Sequence, residues 1–108
     1  MAATWIVRLT QQAEQDLEDI LTWTMEHFGL KQVEIYAEAL TLTLEALIDG
    51  PDIIGAVKRD DILPEIKLLH VARFVNRGRH FVVFRAQDNR QIDVLRILHD
   101  SMDLARHL

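Results

Sequence analysis

The chain has 108 residues, 49% of them hydrophobic and 27% charged, which fits one domain over residues 1–108 built from two packed layers. Cysteine is absent, and there are only four glycines and two prolines, so a disulfide framework, thiolate chemistry and a disordered or collagen-like polymer are excluded. Net charge is −5 at pH 7, a balance that gives weak long-range attraction to nucleic acid.

Thr4 to Leu9 alternates. Trp5, Val7 and Leu9 fall on one side, Ile6, Arg8 and Thr10 on the other, and this period of two predicts a strand. Thr10 is placed as a helix N-cap, with Glu14 and Asp16 early in the helix, where the macrodipole favours anions. Ala13, Leu17, Ile20, Leu21, Thr24 and Phe28 follow at helical spacing. Gly29 is the expected stop. Val33, Tyr36, Ala37, Leu40, Leu44, Leu47 and Ile48 mark a second helix, ended by Gly50-Pro51. Two helices across a short glycine loop make an antiparallel hairpin.

Residues 51–65 mix Pro, Gly and charge without a period and read as a loop or irregular crossover. Ile66 to Val71, His80 to Ala86 and Gln91 to Leu98 read as three strands. Turn signals at Asn76-Arg77-Gly78 and Asp88-Asn89-Arg90 separate them. Phe81-Val82-Val83-Phe84 is apolar on both faces and predicts a central strand covered on both sides. Asp100 to Leu108 reads as a short helix capped by Asp100 or Ser101. The expected fold is therefore α+β: an N-terminal strand, a helical hairpin packed on a mostly antiparallel sheet, a three-stranded meander and a short C-terminal helix.

Catalytic devices are few. No two of His27, His70, His80, His99 and His107 have the spacing of a zinc-binding helix, so no metal site is expected. Glycine-rich phosphate loops and a nucleophile elbow are missing, and the single serine, Ser101, lies between Asp100 and Met102 in the expected cap. No cofactor is expected. No apolar run approaches the ~18 residues of a membrane span, and Met1-Ala2-Ala3-Thr4-Trp5 lacks leader features. A cytoplasmic protein away from membranes is the expectation.

Charge is unevenly spread. Residues 1–50 hold two basic groups against nine acidic, whereas residues 66–99 hold seven basic against two acidic. Arg79 and Arg85, six apart, are expected on one face of one strand, with Arg96 on the next strand and Arg73 before the turn. Such guanidinium groups can bind phosphates or a partner's carboxylates, or they can simply pair with the acidic helices. His99 and His107 could move protons. Trp23 and Met25 fall off the first helix's stripe, which marks either a partner surface or a wider buried face.

The tail Arg96-Ile97-Leu98-His99-Asp100-Ser101-Met102-Asp103-Leu104-Ala105-Arg106-His107-Leu108, preceded by Val94-Leu95, resembles the C-terminal signature of the ParE branch of the RelE/ParE toxin family. Leu9-Thr10 with Ala13 and Asp16-Leu17 resembles the family's first strand-to-helix junction. Phe28-Gly29 resembles its inter-helix turn, Tyr36 and Leu40 its second helix, and Pro51 the break after it. Arg59-Asp60 and the run from His80 to Arg85 resemble it as well. The resemblance covers nearly the whole chain.

It implies the toxin of a type II toxin–antitoxin system that inhibits DNA gyrase by direct binding, with no enzymatic activity. A ParD-like antitoxin with a ribbon-helix-helix part would neutralise it in a hetero-oligomer, by a tail that folds on binding. Direct DNA binding without the antitoxin is not expected. The alternative is a RelE-type, ribosome-dependent mRNA endonuclease using Arg79, Arg85, Arg96 and His99. Against it stand a sequence pI near 5.4 and the lack of a C-terminal Tyr, Tyr36 being the only one. A toxin-like fold kept only as a regulatory partner is a third reading. Expected antitoxin contacts are Trp5, Trp23, Phe28, Arg73, Phe74, Arg79 and Arg85. Expected target contacts are Arg96, His99, Arg106 and His107.

Overall fold

The computed structural model describes residues 4–108, and what the sequence suggests for residues 1–3 lies outside them. The alternation at the start becomes β1 (Ile6–Leu9). Val7 and Leu9 pack on the main core beside Trp5, while Ile6 and Arg8 face outward. The Thr10 hydroxyl accepts from the Ala13 N–H at 3.1 Å and starts α1 (Gln11–Phe28), satisfying one of the amides that a helix start leaves free. Gly29 ends it at φ 86°, a left-handed conformation, and α2 (Leu30–Ala46) begins at once. The chain then tightens into a 3-10 turn at Leu47–Asp49 and stops at Gly50, φ 116°. A Cβ at Gly50 would lie 3.2 Å from Trp5 Nε1. Glycine there supplies the positive φ and also the room for the indole.

The remaining strands are β2 (Val57–Lys58), β3 (Lys67–His70), β4 (His80–Gln87) and β5 (Gln91–His99), followed by α3 (Leu104–His107). The sheet order is β1-β5-β4-β3-β2. Every pairing is antiparallel except β1 with β5. The hairpin covers one face, where Leu40 of α2 and Leu47 after it join Leu69, Val82, Phe84, Ile92, Val94 and Ile97 of the sheet in one core. Ile66, Leu68, Val83 and Leu98 form a second cluster, with Leu63, Phe81, Leu104 and Leu108 packed on it. The apolar run of β4 is thus covered from both sides, as its composition predicts.

A β-bulge marks β5. Val83 pairs with Arg96 but Phe84 pairs with Val94, which leaves Leu95 as the extra residue. Polar groups freed by the bulge are answered from the helical layer. The Leu95 carbonyl accepts from the Thr10 hydroxyl at 2.8 Å, and the Ile97 N–H donates to Asp16 at 2.9 Å. Thr10 therefore caps α1 and anchors it to the sheet at once.

Several expectations are corrected. Residues 51–65 are not all loop, because Val57 and Lys58 pair with Leu68 and Lys67 as a fifth, two-residue strand. That is too short to show a period. The C-terminal helix is shorter than Asp100 to Leu108 and starts after Asp103. Asp100 and Ser101 do not cap it, because His70 and Arg79 occupy the Asp100 carboxylate and His99 engages the Ser101 hydroxyl. Phe28 and Ile48 belong to no core stripe and are exposed. Phe28 is the last residue of its helix, and Ile48 is carried outward by the 3-10 turn. Buried Thr24 and Thr43 donate to the carbonyls four residues back, at 2.7 Å each, so neither is left unpaired.

Candidate partner-binding groove

A groove of about 690 Å³ runs between the second half of α1, the first turns of α2 and the sheet end where β4 begins and β5 finishes. Its apolar part comes from Ile20, Trp23, Phe28 and Met102, and its polar part from Tyr36, Arg77, Arg79, His80 and His99. Trp23 is 53% exposed and Phe28 65%. Local helical spacing sets up this wall. Residues four apart stack on one side of α1, so the Trp23 ring lies on His27 with centroids 4.1 Å apart; Phe28, five residues on at the helix end, meets Trp23 edge-on at 5.7 Å. Met25, also exposed, is on the same helix. Of the two readings left open for Trp23 and Met25, the exposed surface is the one observed.

The polar end is an ordered network. Tyr36 Oη accepts from the Arg79 backbone N–H at 3.1 Å and lies 2.6 Å from His80 Nδ1. Burial raises the Tyr36 pKa, so the phenol stays protonated, and His80 Nδ1 is the one acceptor in reach of its proton among the described residues. Burial first, and then the nearby His99, push His80 down to about 4. Its imidazole is neutral at physiological pH. Asp100 gathers the other groups. Arg79 Nε donates to both its oxygens at 3.1 Å, and His70 Nε2 lies 3.0 Å away. The Arg79 hydrogen bond chiefly holds the Asp100 carboxyl down at about 2.

The expected site residues divide. Trp23, Phe28, Arg79 and His99 come together in the groove. Trp5 and Phe74 pack against the main core, and the Arg73 side chain lies over Gly55, so closely that a Cβ there would overlap it. Arg79 and Arg85 do not share a strand, since β4 begins at His80. Arg85 lies across the ladder from Asp93, outside the groove lining, and its Nε is buried without a hydrogen-bond partner among the described residues. Arg96 turns to α1. Its Nε and a terminal nitrogen hold the Asp16 carboxylate at 2.7 and 2.9 Å, and the other terminal nitrogen donates to the His107 carbonyl at 3.2 Å. Arg96 and His107 line a separate cleft of about 330 Å³ with Thr10, Leu95 and Leu108, and Arg106 is exposed on α3.

Sequence reasoning missed Tyr36, Arg77, His80 and Met102 as groove residues. Tyr36 and His80 read as helix and strand positions, and 44 residues separate the two. The one available signal is that a buried tyrosine needs a partner for its hydroxyl. Among the described residues no group of three or more His, Asp or Glu side chains is placed to hold a metal ion. Among the described residues no helix is long and apolar enough to cross a membrane.

Solved toxin–antitoxin structures share the fold. A chromosomal ParDE toxin–antitoxin system from P. aeruginosa superposes with a TM-score of 0.68 at 18% identity, over 88% of this chain and 95% of that one. The toxin–antitoxin complex RelBE2 from Mycobacterium tuberculosis gives 0.60 at 18% identity, over 89% and 98%. Toxin ParE1 of Caulobacter vibrioides is 31% identical over 101 residues, 94% of this chain and 95% of its own length. Toxin ParE1 of Mycobacterium tuberculosis is 31% identical over 100 residues, 93% and 94% of the two chains. Residues 7–104 match the family model described as the ParE toxin of the type II toxin–antitoxin system parDE. With an α+β fold shared with toxin–antitoxin structures and near full-length similarity to ParE1 toxins, the chain belongs to the ParE toxin family of type II toxin–antitoxin systems.

Proposed function

We propose that this protein is a cytoplasmic toxin that acts by binding DNA gyrase and is silenced by a ParD-like antitoxin. The antitoxin segment docks in the groove between the helical hairpin and the sheet. The observation that carries the docking site is the groove itself: Trp23 and Phe28 of α1 and Met102 beyond β5 stand exposed in its lining, and Arg77, Arg79, His80 and His99 close one end. An apolar trough with a basic end suits a peptide that folds on binding and carries acidic residues among apolar ones. Its name gives the P. aeruginosa neighbour a ParD partner, which supports the same class of antitoxin here.

The step to gyrase rests on membership of the ParE family. Side-chain placement favours binding over RNA cleavage. Of the four residues an endonuclease would use, only Arg79 and His99 line the groove. Arg79 and Arg96 are already held by Asp100 and Asp16. Scattered and neutralised cations make a poor clamp for a phosphorane-like transition state.

A paired assay tests this reading. Purified toxin is added to gyrase with relaxed plasmid and, separately, to a translating extract, each with and without antitoxin. Lost supercoiling with intact mRNA, reversed by antitoxin, is expected. Cleaved mRNA with normal supercoiling would replace the gyrase reading by the endonuclease one.

A further inference from the structure

The hydrogen bonds at the groove's sheet end dictate where two imidazole protons lie. A backbone N–H can only donate, so Tyr36 Oη accepts from Arg79, and its own proton, on a buried phenol with no other acceptor among the described residues, turns to His80 Nδ1. The neutral His80 ring must then carry its proton on Nε2. His99 is set in the same way by a different neighbour. The Ser101 backbone N–H donates to His99 Nδ1 at 3.1 Å, with the Ser101 hydroxyl 2.7 Å from the same nitrogen. In the neutral ring its proton is likewise on Nε2. The two residues face each other across the β4–β5 ladder, rings edge to face with centroids 5.2 Å apart.

Neither Nε2 has a partner among the described residues, and neither is a buried unpaired atom, Arg85 Nε being the one such atom found. Both therefore reach the surface as N–H donors. Arg77, exposed and in no ion pair among the described residues, lines the same groove. The nearest carboxylate, Asp100, is occupied by Arg79 and His70 and lies 3.7 Å from the far nitrogen of His99. Asp19 is the one acidic lining residue, on α1. Donors without acceptors at one end of an apolar trough call for an anion attached to an apolar body.

We propose that His80 Nε2–H and His99 Nε2–H, with the Arg77 guanidinium, form a carboxylate-binding site, and that it receives an acidic side chain of the antitoxin segment. The assignment rests on the groove being the antitoxin site. A peptide carboxylate fits better than a polynucleotide phosphate, because the groove walls are apolar and the protein carries net −5. Tyr36 is a positioning residue here, since it acts by holding the proton of His80 on the outer nitrogen.

Imidazole-selective nitrogen–proton NMR on the labelled full chain tests the site without the antitoxin. Acetate should move the His80 and His99 Nε2 signals, and acetamide, its neutral counterpart, should not. Tyr36→Phe keeps the ring, and should release the His80 tautomer and diminish the His80 response. Absence of any acetate-induced shift at both nitrogens in the unaltered protein overturns the proposal, whatever the antitoxin does. The second arm adds the antitoxin and then its variants with single Asp or Glu residues changed to Asn or Gln. One such change should cost about tenfold or more in affinity and abolish the Nε2 shifts. Binding that alters Trp23 fluorescence but leaves both Nε2 signals in place overturns the proposal while the groove reading stands. Binding that alters neither overturns both.

Discussion

At the scale of single residues, one carboxylate holds the layers together. Asp16 accepts from two nitrogens of Arg96 and from the Ile97 N–H. The side chains are only 13% and 21% exposed. The pairing raises the Arg96 pKa, through the Asp16 hydrogen bond first. Asp16→Ala leaves a part-buried cation and a bulge amide without acceptors. It should cost about 2–4 kcal/mol, read as a lower urea midpoint at unchanged slope. A midpoint shift equivalent to less than about 0.5 kcal/mol would mean that solvent replaces the contact freely.

His80 gives a pH dependence of definite sign. Its ordinary value is 6.5 and burial lowers it to about 4. Between those values the unfolded chain binds a proton that the folded chain refuses. The stabilisation is therefore full above pH 6.5 and is lost as pH falls toward 4. With screening at this part-exposed ring, the loss is on the order of 2 kcal/mol. Asp100, held low by Arg79, adds to the decline further down, as pH falls from its ordinary 3.8 toward about 2. Urea midpoints measured at steps from pH 7 to pH 4 check the first window. His80→Gln should flatten the curve there, and an unflattened curve would place the titration elsewhere.

At the scale of elements, the hairpin separates two jobs. The stripe of α1 that includes Ala13, Leu17, Ile20 and Leu21 packs on the sheet, while its C-terminal end carries Trp23, Met25 and Phe28 into the open. Gly29, whose Cβ position meets nothing within 4 Å, is there for its positive φ alone. Exposed side chains contribute little to folding, so Trp23→Ala with Phe28→Ala should shift stability by about 0.5 kcal/mol or less. The same pair should weaken the antitoxin complex at least about tenfold, because exposed aromatics are the usual anchors of an interface. Chemical denaturation and titration calorimetry on the double variant measure the two quantities. Unchanged antitoxin affinity would move the docking site off the groove.

At the scale of the whole molecule, the acidic first half and the basic region of residues 66–99 meet partly as ion pairs between layers. Asp16 with Arg96 crosses the halves, which answers one reading of the charge pattern for that arginine, whereas Lys67 takes Asp52 from its own half. Other basic groups, Arg79 with Asp100 among them, stay within the second half. The sequence by itself determined what depends on local rules. Period two placed β1, period 3.6 the two helices, Thr10 and Gly29 their ends, and the apolar run at Phe81 the covered strand β4. These features need only near neighbours and solvent to decide them.

What tertiary structure decided depends on residues far apart in the chain. The two-residue β2 exists because β3 offers it a ladder. The bulge at Leu95 turns Arg96 toward Asp16, 80 residues earlier, and no strand pattern announces such a turn. Asp100 and Ser101 are natural caps by local preference, yet His70, Arg79 and His99 claim them first. The exposure of Trp23 was legible because a large apolar group off the core stripe has nowhere to hide, whereas Phe28, which spacing puts on that stripe, is exposed only because the helix ends there. Tyr36, Arg77 and His80 were not legible, because their role arises only where a helix, a turn and a strand end converge on one groove.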